Sequence, residues 1–338
     1  MQRVSKECLG KREKAMIQKL GCLAAILSVF FPMACSKPEI GNARIVFTTI
    51  VPLKDFIQQI AGGRYEVHAL VGSGQNPHNY TPAPDQMAKL SEASAYFKIG
   101  LEVEDGVLPK IKKGMPNVQV VDLRGKITLS DMTEEHYHDT AEYSDYHDHK
   151  EYNAHEDHYD AGHDNHHHEN HRHYGNDSHV WLSPPRVKII ARLIKNALVN
   201  IDPDGKSEYE ENMLVFQRRI DSLDAYIRTT LEPVKGTELF VFHPAFGFFA
   251  DEYGLIEKPV ETGGKEPSAR DLAMLIEEAR EHTPKVIFVQ PQYAAKSAET
   301  LAAQIGCAVV PINPLPEDYF KEMKEMCTRI HTGLSGNE

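Results

Sequence analysis

The stretch PDGKSEYEENMLVFQRRIDSLDAYIRTTL, residues 203–231, decides the fold because it has the pattern of one long amphipathic helix. Its apolar residues recur at spacings of three and four, which places them on one helix face. They are Tyr209, Met213, Phe216, Ile220, Leu223 and Ile227. At about 1.5 Å per residue these 29 residues span about 44 Å. That is longer than one small domain needs, so we expect a rigid spine joining two lobes.

On both sides of this helix, short β-rich runs alternate with helical patterns, which predicts parallel sheets covered by helices. The expected strands are 44–50, 65–71, 96–99 and 118–123, then 238–242, 257–260, 285–289 and 308–312. The expected helices are 52–61, 84–91, 103–111, 184–200, 203–231, 246–253, 268–282, 294–304 and 319–331. The predicted fold class is α/β, with an N-terminal lobe over residues 36–183, linking helices over 184–235 and a C-terminal lobe over 236–338.

The first 35 residues have the pattern of an export signal. Six basic residues occur within residues 1–20, and the apolar run GCLAAILSVFFPMA follows at 21–34. This run is shorter than the roughly 20 residues that a membrane-spanning helix needs. It ends at Ala34-Cys35-Ser36, which looks like a bacterial lipoprotein cleavage site, so Cys35 is the expected lipidation site and cell-envelope anchor. Simple secretion to the periplasm is the alternative, and Met16 is an alternative start.

Two cysteines remain outside the predicted signal, Cys307 in an expected strand and Cys327 in an expected helix. An oxidising compartment permits a disulfide between them. Two separate buried thiols are the alternative.

The segment from 131 to 176 differs in composition from the rest of the chain. It holds 12 of the 18 histidines, and 14 acidic residues against two basic ones from Asp131 to Asp177 account for the whole net charge of −12. With almost no aliphatic residues to bury, it is expected to be a mobile insertion. Its histidines predict accessory metal capture: His136, His138, His147, His149, His155, His158, His163, His166, His167, His168, His171 and His173. A solvated acidic spacer is the alternative, and the near-neutral remainder argues against a nucleic-acid surface.

Three other histidines follow strands or lie in loops, where α/β proteins place their ligand sites. His78 lies in NPHNY, His179 in DSHVWL and His243 in FHPAFGFF. Three neutral imidazoles with an open fourth position are a common zinc arrangement. Spacing alone does not bring these residues together, and for any one of them by itself a core or capping histidine is the favoured interpretation.

Several motifs in order carry a resemblance to a known family. They are NPHNYTPAPDQMAKLSEASAYFKIGLEVE at 76–104, DSHVWLSPPRVKIIARLI at 177–194, DPDGKSEYEEN at 202–212, VFHPAFGFFADEYGL at 241–255, KEPSARDL at 265–272 and VIFVQPQYAAKSAETLA at 286–302. Over about residues 43–330 the chain resembles the metal-binding solute-binding proteins of ABC importers, in their zinc-uptake branch. The resemblance implies two α/β lobes joined by a long helix, with the metal in the cleft between them.

The same resemblance implies the site. The family's three histidine ligands fall on His78, His179 and His243, and a later carboxylate position falls near Glu261. A second carboxylate of manganese-type members falls on Asn313, whose neutral amide favours zinc over manganese. Water, Glu261 or a loop histidine is expected to fill the fourth place. The implied cargo is Zn²⁺, and the implied partners are an ABC permease and its ATPase, with the protein acting as an exported monomer.

Three other functions remain open from the sequence. A manganese or broader divalent-metal carrier would use the same fold. A surface metal buffer or adhesin would work without a transporter. A zinc metallohydrolase would require a general base near the metal, and the chain has no HExxH pairing.

Overall fold

The computed structural model describes residues 44–125, 177–260, 276–277, 284–293 and 295–336. The export signal with Cys35, the 131–176 segment with its twelve histidines, Glu261 and most of the helix expected at 268–282 lie outside these residues.

The first sheet has four parallel strands in the order β2-β1-β3-β4. They are β1 (Arg44–Ile50), β2 (Tyr65–Val71), β3 (Ala95–Lys98) and β4 (Gln119–Asp122), accompanied by α1 (Val51–Ala61), α2 (Pro84–Leu90) and α3 (Val103–Gly114). The last five residues of β1 are buried, as expected for a central strand covered on both faces.

The second sheet repeats this architecture in the order β6-β5-β7-β8, again all parallel. Its strands are β5 (Glu238–Val241), β6 (Ile256–Pro259), β7 (Val286–Val289) and β8 (Ala308–Pro311). The helices are α6 (Gly247–Tyr253), α7 (Ala295–Ile305) and α8 (Tyr319–Ser335). Two parallel sheets covered by helices confirm the fold class predicted from the alternating pattern.

Two helices lie between the sheets in the sequence, α4 (Pro184–Ile201) and the long α5 (Lys206–Leu231). The residues that α5 buries are the predicted stripe extended by Leu231. Phe216 at its middle packs edge-on against Phe56 of α1 and against Phe320 of α8. The long helix therefore contacts helices that belong to both sheets.

The long helix starts later than the sequence predicts, because residues Pro203–Gly205 form a separate 3-10 turn before it. The carboxylate of Asp202 fixes this turn to the first sheet. Its oxygens lie 2.8 Å from Arg44 Nη1 and 2.7 Å from Arg64 Nη2, and Tyr209 Oη donates to it at 2.7 Å. Burial raises the pKa of Asp202, but these hydrogen bonds and charges outweigh burial and leave the pKa below its usual value.

Most buried apolar side chains form one continuous cluster that extends from β1 through α4 and α5 to α8. A smaller cluster packs behind β5 and β7 around Phe242 and Ile287. Among the described helices, none combines the length and the apolar composition that a membrane crossing requires.

Candidate metal centre

His78 lies seven residues beyond the carboxyl end of β2, in a loop that the polar groups of the chain hold in place. The Asn76 side-chain oxygen accepts the backbone N–H of His78 at 2.9 Å. The carboxylate of Glu102, four residues after β3, contacts Nδ1 of His78. The loops after β2 and β3 therefore orient this imidazole together, and in the sheet β1 lies between these two strands.

His179 lies at the start of the 3-10 turn Val180–Leu182 and is 6% exposed. Asp177 Oδ1 accepts both the backbone N–H and the Nδ1 group of His179, each at 2.8 Å. Two residues later, Trp181 Nε1 donates to the carbonyl of Pro314 at 2.7 Å. The His179 segment is thus fixed to the loop that follows β8.

His243 follows β5 by two residues and is 5% exposed. The side chain of Gln290, directly after β7, makes two hydrogen bonds to the backbone of His243. Gln290 Oε1 accepts the His243 N–H at 3.0 Å, and Gln290 Nε2 donates to the His243 carbonyl at 3.2 Å. The ring of Tyr293 stacks on the imidazole with centroids 4.6 Å apart and an interplanar angle of 27°. Backbone and ring of His243 are therefore both held by the loop after β7.

The structure brings the three histidines to one point. One nitrogen from each of His78, His179 and His243 lies within 4.8 Å of the others, and Nε2 of His78 lies 3.1 Å from Nε2 of His243. In a tetrahedral zinc site with Zn–N distances of about 2.0–2.1 Å, two ligand nitrogens lie about 3.3 Å apart. The histidines are therefore close to coordination geometry, and contraction of the longer separations completes it.

The outer hydrogen bonds decide which nitrogen of each ring faces the shared point. A carboxylate accepts but does not donate, so in the neutral rings the Nδ1 atoms of His78 and His179 carry the hydrogen. The lone pairs of these rings are then on Nε2, the atom that a metal ion needs. A cation at the shared point would accept the lone pair on Nε2 of His78, the atom that lies 3.1 Å from Nε2 of His243.

Two carboxyl groups near the site are electrostatically unusual. Burial raises the pKa of Asp177, but hydrogen bonds and the charge of His179 act more strongly together and leave that pKa below its usual value. Burial also raises the pKa of Glu257 to about 7, although Glu257 accepts the backbone N–H of Phe246 at 2.7 Å. Asp177 is thus kept as a charged acceptor for His179, whereas Glu257 supports the loop after His243.

A buried ionic cluster joins the elements that follow His179 and His243. Glu252 of α6 accepts from Ser183 Oγ at 3.2 Å and lies 3.5 Å from Arg186 Nη1, both at the start of α4. Arg228 of the long helix α5 pairs with the same carboxylate. These contacts fix the two histidine-bearing segments to the long helix.

The other residues that the sequence suggested are not part of this cluster. Asn313 Oδ1 accepts from Gln292 Nε2 at 2.8 Å and from the Leu315 N–H at 3.0 Å, while Nδ2 donates to Leu315 O and Glu322 Oε2, both at 3.1 Å. Both ends of the amide are engaged in hydrogen bonds that support the loop after β8, and the ligand role of Asn313 considered from the sequence stays a prediction. Glu261 and the accessory histidines lie outside the described residues.

Cys307 and Cys327 are both free thiols. Cys327 is buried in the large cluster, whereas Cys307 packs against the smaller one. The disulfide considered from the sequence is therefore not formed, because the two thiols belong to different cores.

Sequence reasoning missed the residues that orient the imidazoles: Asp177, Glu102, Gln290 and Tyr293. Their positions in the chain, shortly after strands, could have identified three of them. Glu102 follows the end of β3, and Gln290 and Tyr293 follow the end of β7. The carboxyl ends of parallel strands meet at one edge of a sheet, so polar residues in all of these loops were candidates.

Comparison with known proteins places the chain in a family. Residues 46–333 match the ZnuA family, described as zinc-uptake complex component A, periplasmic. The high-affinity zinc uptake system protein ZnuA of Bacillus subtilis is 31% identical over 289 residues, which cover 84% of this chain and 82% of that protein. The zinc-binding lipoprotein AdcA of Streptococcus pneumoniae is 29% identical over 306 residues, covering 88% of this chain, and the match spans only 56% of AdcA.

Comparison with solved structures points to the same family. A crystal structure of ZnuA is similar with a TM-score of 0.70 and 31% identity, covering 87% of this chain and 100% of that one. A deletion mutant of ZnuA with zinc bound is similar with a TM-score of 0.69 and 31% identity, covering 86% and 98%. The matched region contains all three histidines, both sheets and the long helix, and the chain therefore belongs to the ZnuA family.

Proposed function

We propose that this protein captures zinc outside the cytoplasmic membrane and delivers it to an ABC-type permease driven by its ATPase. The observation that carries the proposal is the convergence of His78, His179 and His243, whose ligand nitrogens lie within 4.8 Å of one another. The ion is cargo, so the site must bind it selectively and later release it.

The donor set favours zinc over harder divalent ions. Within the described residues, the group of candidate ligands consists of three imidazoles and includes no carboxylate. Imidazole nitrogen suits zinc, whereas manganese, magnesium and calcium prefer carboxylate and carbonyl oxygen. At the position where manganese-type relatives are expected to have a carboxylate, Asn313 is already committed to hydrogen bonds within its own loop.

The size of the site supports a carrier over a hydrolase. The cavity lined by the three histidines measures about 10 Å³, which is close to the smallest space that holds one water molecule. A metallohydrolase must accommodate an organic substrate beside its metal-bound water. This cavity has room for an ion and little else.

Transport also requires that the protein lie where zinc enters the cell. The basic and apolar pattern of residues 1–35 supports export, and the small residue before Cys35 supports a lipid anchor. The family description is periplasmic, and the pneumococcal relative is named a lipoprotein. We therefore place the protein in the cell envelope as a lipid-anchored monomer, with lobes over 36–183 and 236–338 joined by residues 184–235.

The segment 131–176 is proposed to collect zinc for this site. It ends immediately before Asp177 in the sequence, so it is joined directly to the segment that carries His179. Histidine-rich tracts bind metals through loose sites. Such exchanging sites raise the local zinc concentration without adding another tight site.

The test is a zinc titration of the mature protein against a chelator of known affinity. Alanine at His78, His179 or His243 should lower the affinity by more than the roughly 10–100-fold that loss of an outer hydrogen-bond partner costs. His331→Ala is the matched control, since His331 contacts Ser335 within α8. Deletion of 131–176 should leave one tight site and lower the total number of bound ions.

Two results would overturn the proposal. One is tight binding that survives substitution of any of the three histidines. The other is normal growth in zinc-depleted medium of cells that carry only a His78→Ala protein in the envelope.

A further inference from the structure

The side-chain carbonyl of Gln292 is a polar group at the three-histidine cavity that the site described above does not use. Gln292 follows β7 by three residues and lines the cavity together with His78, His179 and His243. Its Oε1 atom is buried and accepts no hydrogen bond from the described residues. Leaving a buried acceptor unsatisfied costs about 1–3 kcal/mol, so such an atom at a binding site requires an explanation.

The orientation of this amide is fixed by a chain of obligatory donors and acceptors. The backbone N–H of Leu315 can only donate, so the atom of Asn313 that it contacts at 3.0 Å must be oxygen. The carbonyl of Leu315 can only accept, which fixes the other end of the Asn313 amide as nitrogen. Asn313 therefore presents oxygen to Gln292, and the facing group of Gln292 at 2.8 Å must be its NH₂.

Because the NH₂ group of Gln292 faces Asn313, its carbonyl oxygen is the end left for the cavity. A carboxylate at position 292 would place oxygen against the Asn313 oxygen at 2.8 Å, so this contact selects an amide. Asn313 thus acts as a positioning residue for Gln292. This gives the residue that the sequence suggested as a ligand a different role in the same site.

The cavity leaves little space for any other group. Besides the three histidines and Gln292 it is lined by Pro77, Tyr293, Pro314 and Leu315, and it measures about 10 Å³. An ion that binds the three rings fills most of this space and lies beside the Gln292 side chain. Tetrahedral zinc needs a fourth ligand, and amide oxygen is a neutral donor able to supply it.

We propose that Gln292 Oε1 is the fourth ligand of the bound ion, an inference that rests on the proposed zinc-binding function. The complete shell is then three imidazole nitrogens and one amide oxygen, all neutral. Because all four positions are filled, this shell excludes the water that an open zinc site would activate. It also leaves the charge of the ion uncompensated, which favours the release that a carrier requires.

The test uses cobalt as a spectroscopic substitute for zinc, in the wild-type protein and in Gln292→Met. Methionine has a similar length but lacks the oxygen, so water is expected to occupy the fourth place. A water bound in an open three-histidine site loses a proton near neutral pH, whereas an amide oxygen has no proton to lose. The visible cobalt spectrum of the wild type should stay constant between pH 7 and 9.5, and that of Gln292→Met should change.

The zinc affinity of Gln292→Met should also fall, by about 10–100-fold. The control is Gln304→Met, the same substitution at an exposed position of α7, and it should behave as the wild type. A wild-type cobalt spectrum that titrates in this range overturns the proposal, and this measurement does not depend on the folding of any variant. Failure of the proposed function has a different signature, since neither protein would then bind cobalt or zinc.

Discussion

Replacement of Asp177 tests whether the outer hydrogen bonds set the affinity of the site. One oxygen of this carboxylate accepts the N–H and the Nδ1 group of His179, each at 2.8 Å. Asp177→Ala removes the acceptor that keeps the hydrogen on Nδ1. The tautomer and the orientation of the His179 ring are then no longer fixed before an ion binds. Asp177→Asn keeps an accepting oxygen but loses the charge.

The magnitude follows from these contacts. A hydrogen bond to a charged acceptor contributes about 1.5–3 kcal/mol. Because each 1.4 kcal/mol is about a factor of ten in affinity, Asp177→Ala should weaken zinc binding about 10–100-fold. Asp177→Asn should weaken zinc binding about tenfold or less.

The assay is competition for zinc with a chelator at pH 7.5, together with urea unfolding of the zinc-free proteins. Ser178→Ala is the adjacent control, because the Ser178 hydroxyl donates to Gly100 O at 3.1 Å. An Asp177→Ala affinity within twofold of the wild type would refute the reasoning. A loss explained entirely by a smaller folded fraction would refute it as well.

The remaining predictions concern three other positions. Glu102→Gln should cost about fivefold or less in zinc affinity, since Glu102 is 66% exposed and exposed ion pairs contribute about 0–1 kcal/mol; a loss equal to that of Asp177→Ala would contradict this. In the folded protein the pKa of Glu257 is raised to about 7 from its ordinary 4.5. Between these two pH values the folded protein keeps Glu257 protonated while the unfolded chain does not. The free energy of unfolding should therefore fall as the pH rises from about 4.5 to 7, by up to about 3 kcal/mol. Urea unfolding between pH 5 and 8 should show a smaller fall for Glu257→Gln, and parallel curves would reject the prediction. Phe216→Ala should lower the unfolding free energy by about 3–5 kcal/mol while the folded protein keeps its zinc affinity, and a weakened site in a protein of normal stability would contradict it.

The fold was predictable because its signals are local. The apolar spacing between Tyr209 and Ile227 defined the buried face of α5, and all eight strands were expected within a few residues of where they lie. The start of α5 was not predictable, since the turn at Pro203 depends on Asp202 meeting Arg44 at the start of β1 and Arg64 just before β2.

The site was predictable only in part. The three histidines stood out by residue type and by their positions in loops, and the family resemblance grouped them. Nothing in their spacing could show that Nε2 of His78 and Nε2 of His243 lie 3.1 Å apart. Their separation depends on how the two sheets pack, which is a property of the whole core.

The role of Asn313 shows the same limit. Its residue type alone indicated the absence of a carboxylate, which was useful for predicting the metal. Its contacts with Gln292 and Leu315 come from two loops that meet only in the folded chain. The sequence could therefore suggest what Asn313 does not supply, but not what it does.

The most direct measurement is a crystal structure of the zinc-loaded protein with anomalous diffraction data collected at the zinc absorption edge. We expect one strong peak within about 2.0–2.1 Å of an imidazole nitrogen from each of His78, His179 and His243. A strongest peak away from all three rings, or one in contact with only one of them, would contradict the central claim that they form a single site.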